Sequence, residues 1–141
     1  MQLNRVEQKH SSGCGLACLS MVSSGKLTYE QAMELVYPID EFDHSDDDWY
    51  TDNGQLKDAL DEMEVSHYGR FRTISKGWSD LGQKVDGLAI VACGLRGDKN
   101  WHWVVFDGSS GLVYDPDKNH TRPYLPNGRH RKPFRYLSIH D

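Results

Sequence analysis

Apolar residues recur at helical spacing through the first half of the chain and at strand spacing through the second. After the Ser11-Ser12-Gly13 turn, Leu16, Ala17, Met21 and Val22 give one buried face to a helix that begins at or just before Cys14 and stops at Ser23-Ser24-Gly25, where glycine can cap it. Thr28 followed three residues later by Gln31 is a capping box, and Ala32, Leu35 and Val36 carry a second helix as far as Pro38. Asn53-Gly54 leads into Leu56, Ala59, Leu60 and Met63, again at helical spacing, which predicts a third helix.

The period then changes. Val65 to Phe71 reads as a strand, Ser75 to Lys84 as a short helix, and Leu88-Ala-Ile-Val-Ala92 as a strand buried on both faces. Trp101 to Asp107 and Leu112 to Asp115, joined by Gly108-Ser-Ser-Gly111, form a hairpin, and Phe134 to Ile139 closes the sheet. Helices first and antiparallel strands afterwards predict an α+β fold.

The 141 residues suffice for one hydrophobic core, and no repeat or linker divides 1–141, so a single domain is expected. No apolar run approaches the roughly 20 residues of a membrane span. The first twenty residues, with Arg5, Glu7, Lys9 and His10 among them, lack a secretory core; a cytoplasmic chain, or one exported without a cleaved signal, is expected. Three cysteines is an odd number, and Cys14 and Cys18 sit four apart in one helix, so reduced thiols are expected rather than a disulfide framework. The formal net charge of −5 argues against nucleic acid as a partner. Acidic residues crowd between Asp40 and Asp52, whereas Lys118, Arg122, Arg129, Arg131, Lys132 and Arg135 lie near the end. Both runs read first as solvated loops, and otherwise as a rim facing a substrate.

Candidate chemistry centres on Cys14. An unperturbed cysteine is only a few per cent thiolate at neutral pH, and a helix N-terminus favours the anion through unpaired amides and the macrodipole. Gly13 and Gly15 leave room for a substrate backbone to approach. A cysteine in an apolar helix can equally be core packing, and a second group must decide. His102 supplies it. With Ser109 and Ser110 at the hairpin tip, Val104 pairs with Asp115, and His102 lies diagonal to Asp115 on the same face. Asp117 is a less constrained alternative because Pro116 interrupts the ladder, and Asp107 falls on the other face. Flanking Trp101 and Trp103 would shield the imidazole from water.

Gln8 six residues before Cys14-Gly15, an amphipathic helix, a distant His102-Trp-Val-Val strand and Tyr114-Asp115-Pro116 together resemble the papain-like cysteine peptidase superfamily. Within it the pattern is most similar to the bacterial peptidases that cleave double-glycine leaders and to their freestanding relatives. The resemblance implies a papain-like fold, with a helical half carrying the nucleophile packed on a C-terminal antiparallel sheet. It implies Cys14 as nucleophile, His102 as general base and acid, Asp115 as the residue orienting His102, and Gln8 with the Cys14 amide as oxyanion donors. The substrate would be a protein or peptide, cleaved through an acyl-enzyme thioester with no cofactor or metal. Gly13 stands where many leader peptidases carry an acidic residue, and their transporter segments are missing here, so leader cleavage during export does not transfer. Superfamily members also include isopeptidases, deamidases and transglutaminases, which these four residues do not separate. A binding module that keeps the fold without chemistry, and a Cys14/Cys18 thiol switch, are the other readings.

Outside this set, Cys18 reads as helix core in preference to a redox or metal partner of Cys14, and Cys93 as an inert end to its strand. His44 with Asp46, Asp47 and Asp48 lacks the ordered spacing of a calcium loop and reads as solvated acid, with Trp49 and Tyr50 as a possible substrate rim.

Overall fold

The computed structural model describes residues 3–10, 12–37, 51–94, 101–127 and 130–139. The acidic segment from Asp40 up to Asp52, with His44, Trp49 and Tyr50, lies outside them apart from its last two residues, Thr51 and Asp52, as does Arg129.

Helices α1 (Cys14–Val22), α2 (Tyr29–Val36) and α3 (Asn53–Glu62) come first. A short strand β1 (Arg72–Thr73) and helix α4 (Trp78–Lys84) follow, then strands β2 (Leu88–Cys93), β3 (His102–Asp107), β4 (Leu112–Tyr114) and β5 (Pro133–Ile139). The strands form one antiparallel sheet in the order β1-β5-β2-β3-β4. The fold is thus α+β. Every residue of β2 is buried, because this apolar run is the central strand and has a core on each face.

On one face Ile90, Ala92, Trp103 and Val105 meet Leu16, Leu19, Leu56 and Leu60 of the first three helices. On the other, Ala89, Val91, Val104 and Phe106 meet Leu81 of α4 and Val85 just beyond it. Strict alternation along β2 and β3 sends successive side chains to opposite cores. Among the described residues no helix is long and apolar enough to cross a membrane.

Helix α1 departs from the amphipathic expectation, since all nine of its residues are buried. It packs on β3 from one side and on α2 and α3 from others, so polar Ser20 as well as the apolar residues is covered. Its end is tied by serine hydroxyls: Ser20 Oγ donates to Leu27 O at 2.7 Å, and Leu27 N donates to Ser23 Oγ at 3.0 Å. Ser24 takes a left-handed conformation there (φ 59°) ahead of Gly25 (φ 82°), so the turn is not carried by the glycine alone. The capping box of α2 is complete, with Gln31 N on Thr28 Oγ1 at 3.1 Å and Thr28 N on Gln31 Oε1 at 2.9 Å.

The expected strand over Val65 to Phe71 is absent. Glu64 turns left-handed at φ 57°, only His67 bridges to Ile139, and regular pairing with β5 waits until Arg72 and Thr73.

Candidate active site

The hairpin pairs Val105 with Tyr114, Phe106 with Val113 and Asp107 with Leu112, the register that the Ser109-Ser110 tip predicts. His102 at the start of β3 and Asp115 just past the end of β4 therefore meet diagonally at the same end of the hairpin. His102 Nε2 stands 2.6 Å from Asp115 Oδ1, and the Asp117 amide donates to the same oxygen at 2.9 Å. Asp117 thus holds Asp115 through its backbone instead of replacing it. Asp107 is occupied in the turn, accepting from Ser109 N at 3.0 Å and Ser109 Oγ at 2.7 Å.

Packing of α1 on β3 brings the helix N-terminus to the same place. The Trp103 amide donates to Cys14 Sγ at 3.4 Å, which sets the sulfur beside the neighbouring His102, close enough for its charge to act on the imidazole. With Nε2 on Asp115, the imidazole offers Nδ1 to the sulfur. As the first residue of α1, Cys14 also has a backbone N–H with no intrahelical acceptor. Cys14, His102 and Asp115 are each 7% exposed, so charges on their side chains interact through little water.

The electrostatics follow from that burial. Removal from water would lower the His102 pKa, but hydrogen bonds to Asp115 and Cys14, with the charges of both, lift it to about 10. Burial opposes the charge on Asp115, and the hydrogen bond and charge of His102, the Asp117 amide and the Tyr124 hydroxyl together hold it below the usual carboxylate range. Cys18 is fully buried one turn below Cys14, and burial raises its pKa well above that of a free thiol. Cys93 is also buried, its thiol donating to His102 O at 3.4 Å and its pKa raised by burial.

Gln8 sits on a segment that runs alongside the end of β4. Gln8 N donates to Pro116 O at 2.8 Å, and Arg5 straddles that contact with Nε on Asp115 O and Nη2 on Asp117 O, both at 2.7 Å. The Gln8 side-chain amide donates to His10 O at 2.9 Å. An amide nitrogen carries two hydrogens, so this bond is compatible with a second acceptor. The structure thus brings Cys14, His102 and Asp115 together and anchors the segment that carries Gln8 to the same strand end.

Two local expectations are corrected. Gly13 and Gly15 make room for the protein's own side chains: a Cβ at Gly13 would stand 1.9 Å from Tyr29 Oη, and one at Gly15 1.6 Å from Thr51 Oγ1. The indoles of Trp101 and Trp103 pack edge-on to each other at 4.9 Å on the helical side of the sheet. His102 is shielded from water as expected, at 7% exposure, but the two indoles are engaged with each other and with the core on that side, so the shielding is not theirs alone.

Residues that the sequence did not mark complete the surroundings. Arg5 clamps the strand end, and Tyr29, 3% exposed, closes on the turn before Cys14 with its hydroxyl 3.0 Å from His10 Nδ1. Tyr124 reaches Asp115 from the loop after β4. The Arg5 contacts join positions more than 100 residues apart, and the two tyrosine contacts span irregular connections, so no helical or strand period foretells them. A pocket of about 270 Å³ opens beside His102 and Asp115, lined also by Cys93, His120, Tyr124 and Arg131. A larger groove of about 350 Å³ lies at the other end of α1, between Val22, Leu27, Met63 and Ile139, where no candidate residue is found.

No protein-family profile matches the chain, and comparison with curated proteins gives no match.

Proposed function

We propose that this chain is a papain-like cysteine hydrolase that attacks an amide bond of a protein or peptide through an acyl-enzyme thioester. The observation that carries the proposal is the position of His102, 2.6 Å from buried Asp115 and one residue before Trp103, whose amide holds Cys14 Sγ at 3.4 Å. A buried cysteine serving only as packing has no use for an imidazole held by a buried carboxylate. The order of the chain supports the papain-like reading: sulfur at the N-terminus of the first helix, imidazole and carboxylate on a later hairpin of the sheet.

In the proposed reaction the Cys14 sulfur, its charge matched by imidazolium, adds to the amide carbonyl. Negative charge develops on the carbonyl oxygen and is met by the Cys14 amide and the Gln8 side chain. His102 gives its proton to the departing amine as the C–N bond breaks, leaving the thioester and a neutral imidazole. That imidazole then takes a proton from water, whose oxygen adds to the thioester; the acid is released and the sulfur–imidazolium pair is restored. Asp115 keeps the ring oriented throughout without taking its proton.

Alkylation by iodoacetamide tests the first step without a substrate. Wild-type Cys14 should label rapidly at pH 6, and His102→Ala should slow it at least tenfold, while Cys14→Ala identifies the site. Slow labelling that is indifferent to His102 would sink the enzymatic reading and leave a binding module. Incubating wild type and Cys14→Ala with lysate, then comparing new termini and deamidated glutamines by mass spectrometry, separates peptide cleavage from deamidation by the same thioester route.

A further inference from the structure

The loop between β4 and β5 returns to the candidate site through one side chain. Tyr124 Oη donates to Asp115 Oδ2 at 3.0 Å, while Asp115 Oδ1 takes His102 and the Asp117 amide. Its backbone is fixed against β4 by a reciprocal pair of hydrogen bonds with Val113, Val113 N to Tyr124 O at 2.8 Å and Tyr124 N to Val113 O at 3.1 Å. Its ring is stacked on His120 at 4.6 Å and on His130 at 4.2 Å, with interplanar angles of 28° and 21°. Backbone and ring are thus both held, and the hydroxyl has one place to point. His120 Nε2 lies 3.5 Å from the same carboxylate oxygen, beyond good hydrogen-bonding distance.

A carboxylate held only through Oδ1 could turn about its last torsion and exchange its oxygens, taking the imidazole with it. A donor fixed on Oδ2 stops that rotation. We propose that Tyr124 is a positioning residue, clamped by His120 and His130, which locks the Asp115 carboxylate and through it the orientation of His102. Its effect on Cys14 reactivity rests on the hydrolase reading above; its effect on His102 does not. Burial and the charge of Asp115 both raise the pKa of the Tyr124 hydroxyl, so it stays protonated and able to donate.

Tyr124→Phe in the full chain removes the oxygen and keeps a ring for the two histidines to stack on. Two measurements follow. The first is the low-field NMR resonance of the His102 Nε2 proton, which should broaden through faster exchange with water in the variant. The second is alkylation of Cys14 by iodoacetamide at pH 7, which should slow by about three- to tenfold, the effect of one ordinary hydrogen bond, since Tyr124 acts on Cys14 only through Asp115 and His102. Because the proposed action passes through Asp115, Tyr124→Phe should add nothing further in an Asp115→Asn background. An unchanged His102 resonance, or an undiminished effect in Asp115→Asn, overturns the proposal. A changed resonance together with alkylation that ignores His102 supports the positioning role and overturns the hydrolase reading instead. A reading on the wild type needs no Tyr124 variant: a slowly exchanging tyrosine hydroxyl resonance should be present and vanish in Asp115→Asn, and its absence also overturns the proposal.

Discussion

His102 keeps its proton because two acceptors oppose the cost of burying it. If so, taking away either acceptor must lower its pKa, and Cys14→Ala should bring it down from about 10 by more than roughly one unit in an NMR titration. An unmoved titration would mean that sulfur and imidazole are not coupled. The same shift makes stability depend on pH. The unfolded chain releases this proton near 6.5 and the folded chain near 10, so the contribution of His102 is complete below pH 6.5 and disappears as pH rises to 10. Asp115 acts in the other sense: its depressed value contributes above 3.8, and that contribution is lost as pH falls through the folded value. Urea midpoints of the wild type should therefore fall between pH 6.5 and 10, and Cys14→Ala should narrow that window from its upper end. Cys14, His102 and Asp115 were legible in the sequence because each is chemically distinctive and a hairpin tip fixes its own register. Arg5, Tyr29 and Tyr124 were not, since the partners of Arg5 lie over 100 residues away and the tyrosines reach theirs across irregular connections whose course no period fixes.

Elements place those residues, and the seat of α1 is the tightest example. Gly13 has φ −88°, open to any residue, so what opposes a Cβ there is the Tyr29 side chain, its hydroxyl above all and its ring carbon Cζ at 3.1 Å. Gly13→Ala should cost about 1–3 kcal/mol through overpacking in thermal unfolding. Tyr29→Phe removes the clashing oxygen, and the double variant should be less destabilised than the sum of the two singles; strict additivity would show that the clash is relieved elsewhere. The segment before α1 depends on a different device. Arg5→Ala takes three contacts down to one by freeing the carbonyls of Asp115 and Asp117, at an expected cost of about 1–3 kcal/mol. Faster hydrogen exchange at Gln8 N should accompany it, and unchanged protection there would show that Gln8 is anchored independently. Local signals of this kind are readable only when both halves lie close in sequence. The α2 capping box was plain, whereas the equivalent box of α3, Asp52 with Gln55, was obscured because Asn53-Gly54 between them suggests a turn. The Val65 to Phe71 segment has strand-like residues, yet its pairing is decided by how β5 passes it, which its own sequence does not contain.

At the scale of the whole molecule the two halves meet at Trp103. Its ring is 1% exposed in the core beneath α1, and its Nε1 donates to Thr51 O at 2.8 Å, tying β3 to the entry of α3. Its backbone amide is the one that reaches Cys14 Sγ. Side chain and backbone therefore serve different purposes at one position, and two substitutions distinguish them. Trp103→Phe preserves an aromatic ring and the backbone donor but leaves the Thr51 carbonyl without its indole, so it should lose about 1–3 kcal/mol of stability with alkylation of Cys14 little altered. Trp103→Ala opens a cavity between sheet and helices, should lose about 3–5 kcal/mol, and lets α1 shift against β3. Cys14 alkylation and its dependence on His102 should then fall together, since both require the helix N-terminus to stay at the start of the hairpin. Equal alkylation in the two variants would mean that the sulfur is held by its own helix and the turn before it, and that the packing of the halves contributes stability without setting the geometry of the site.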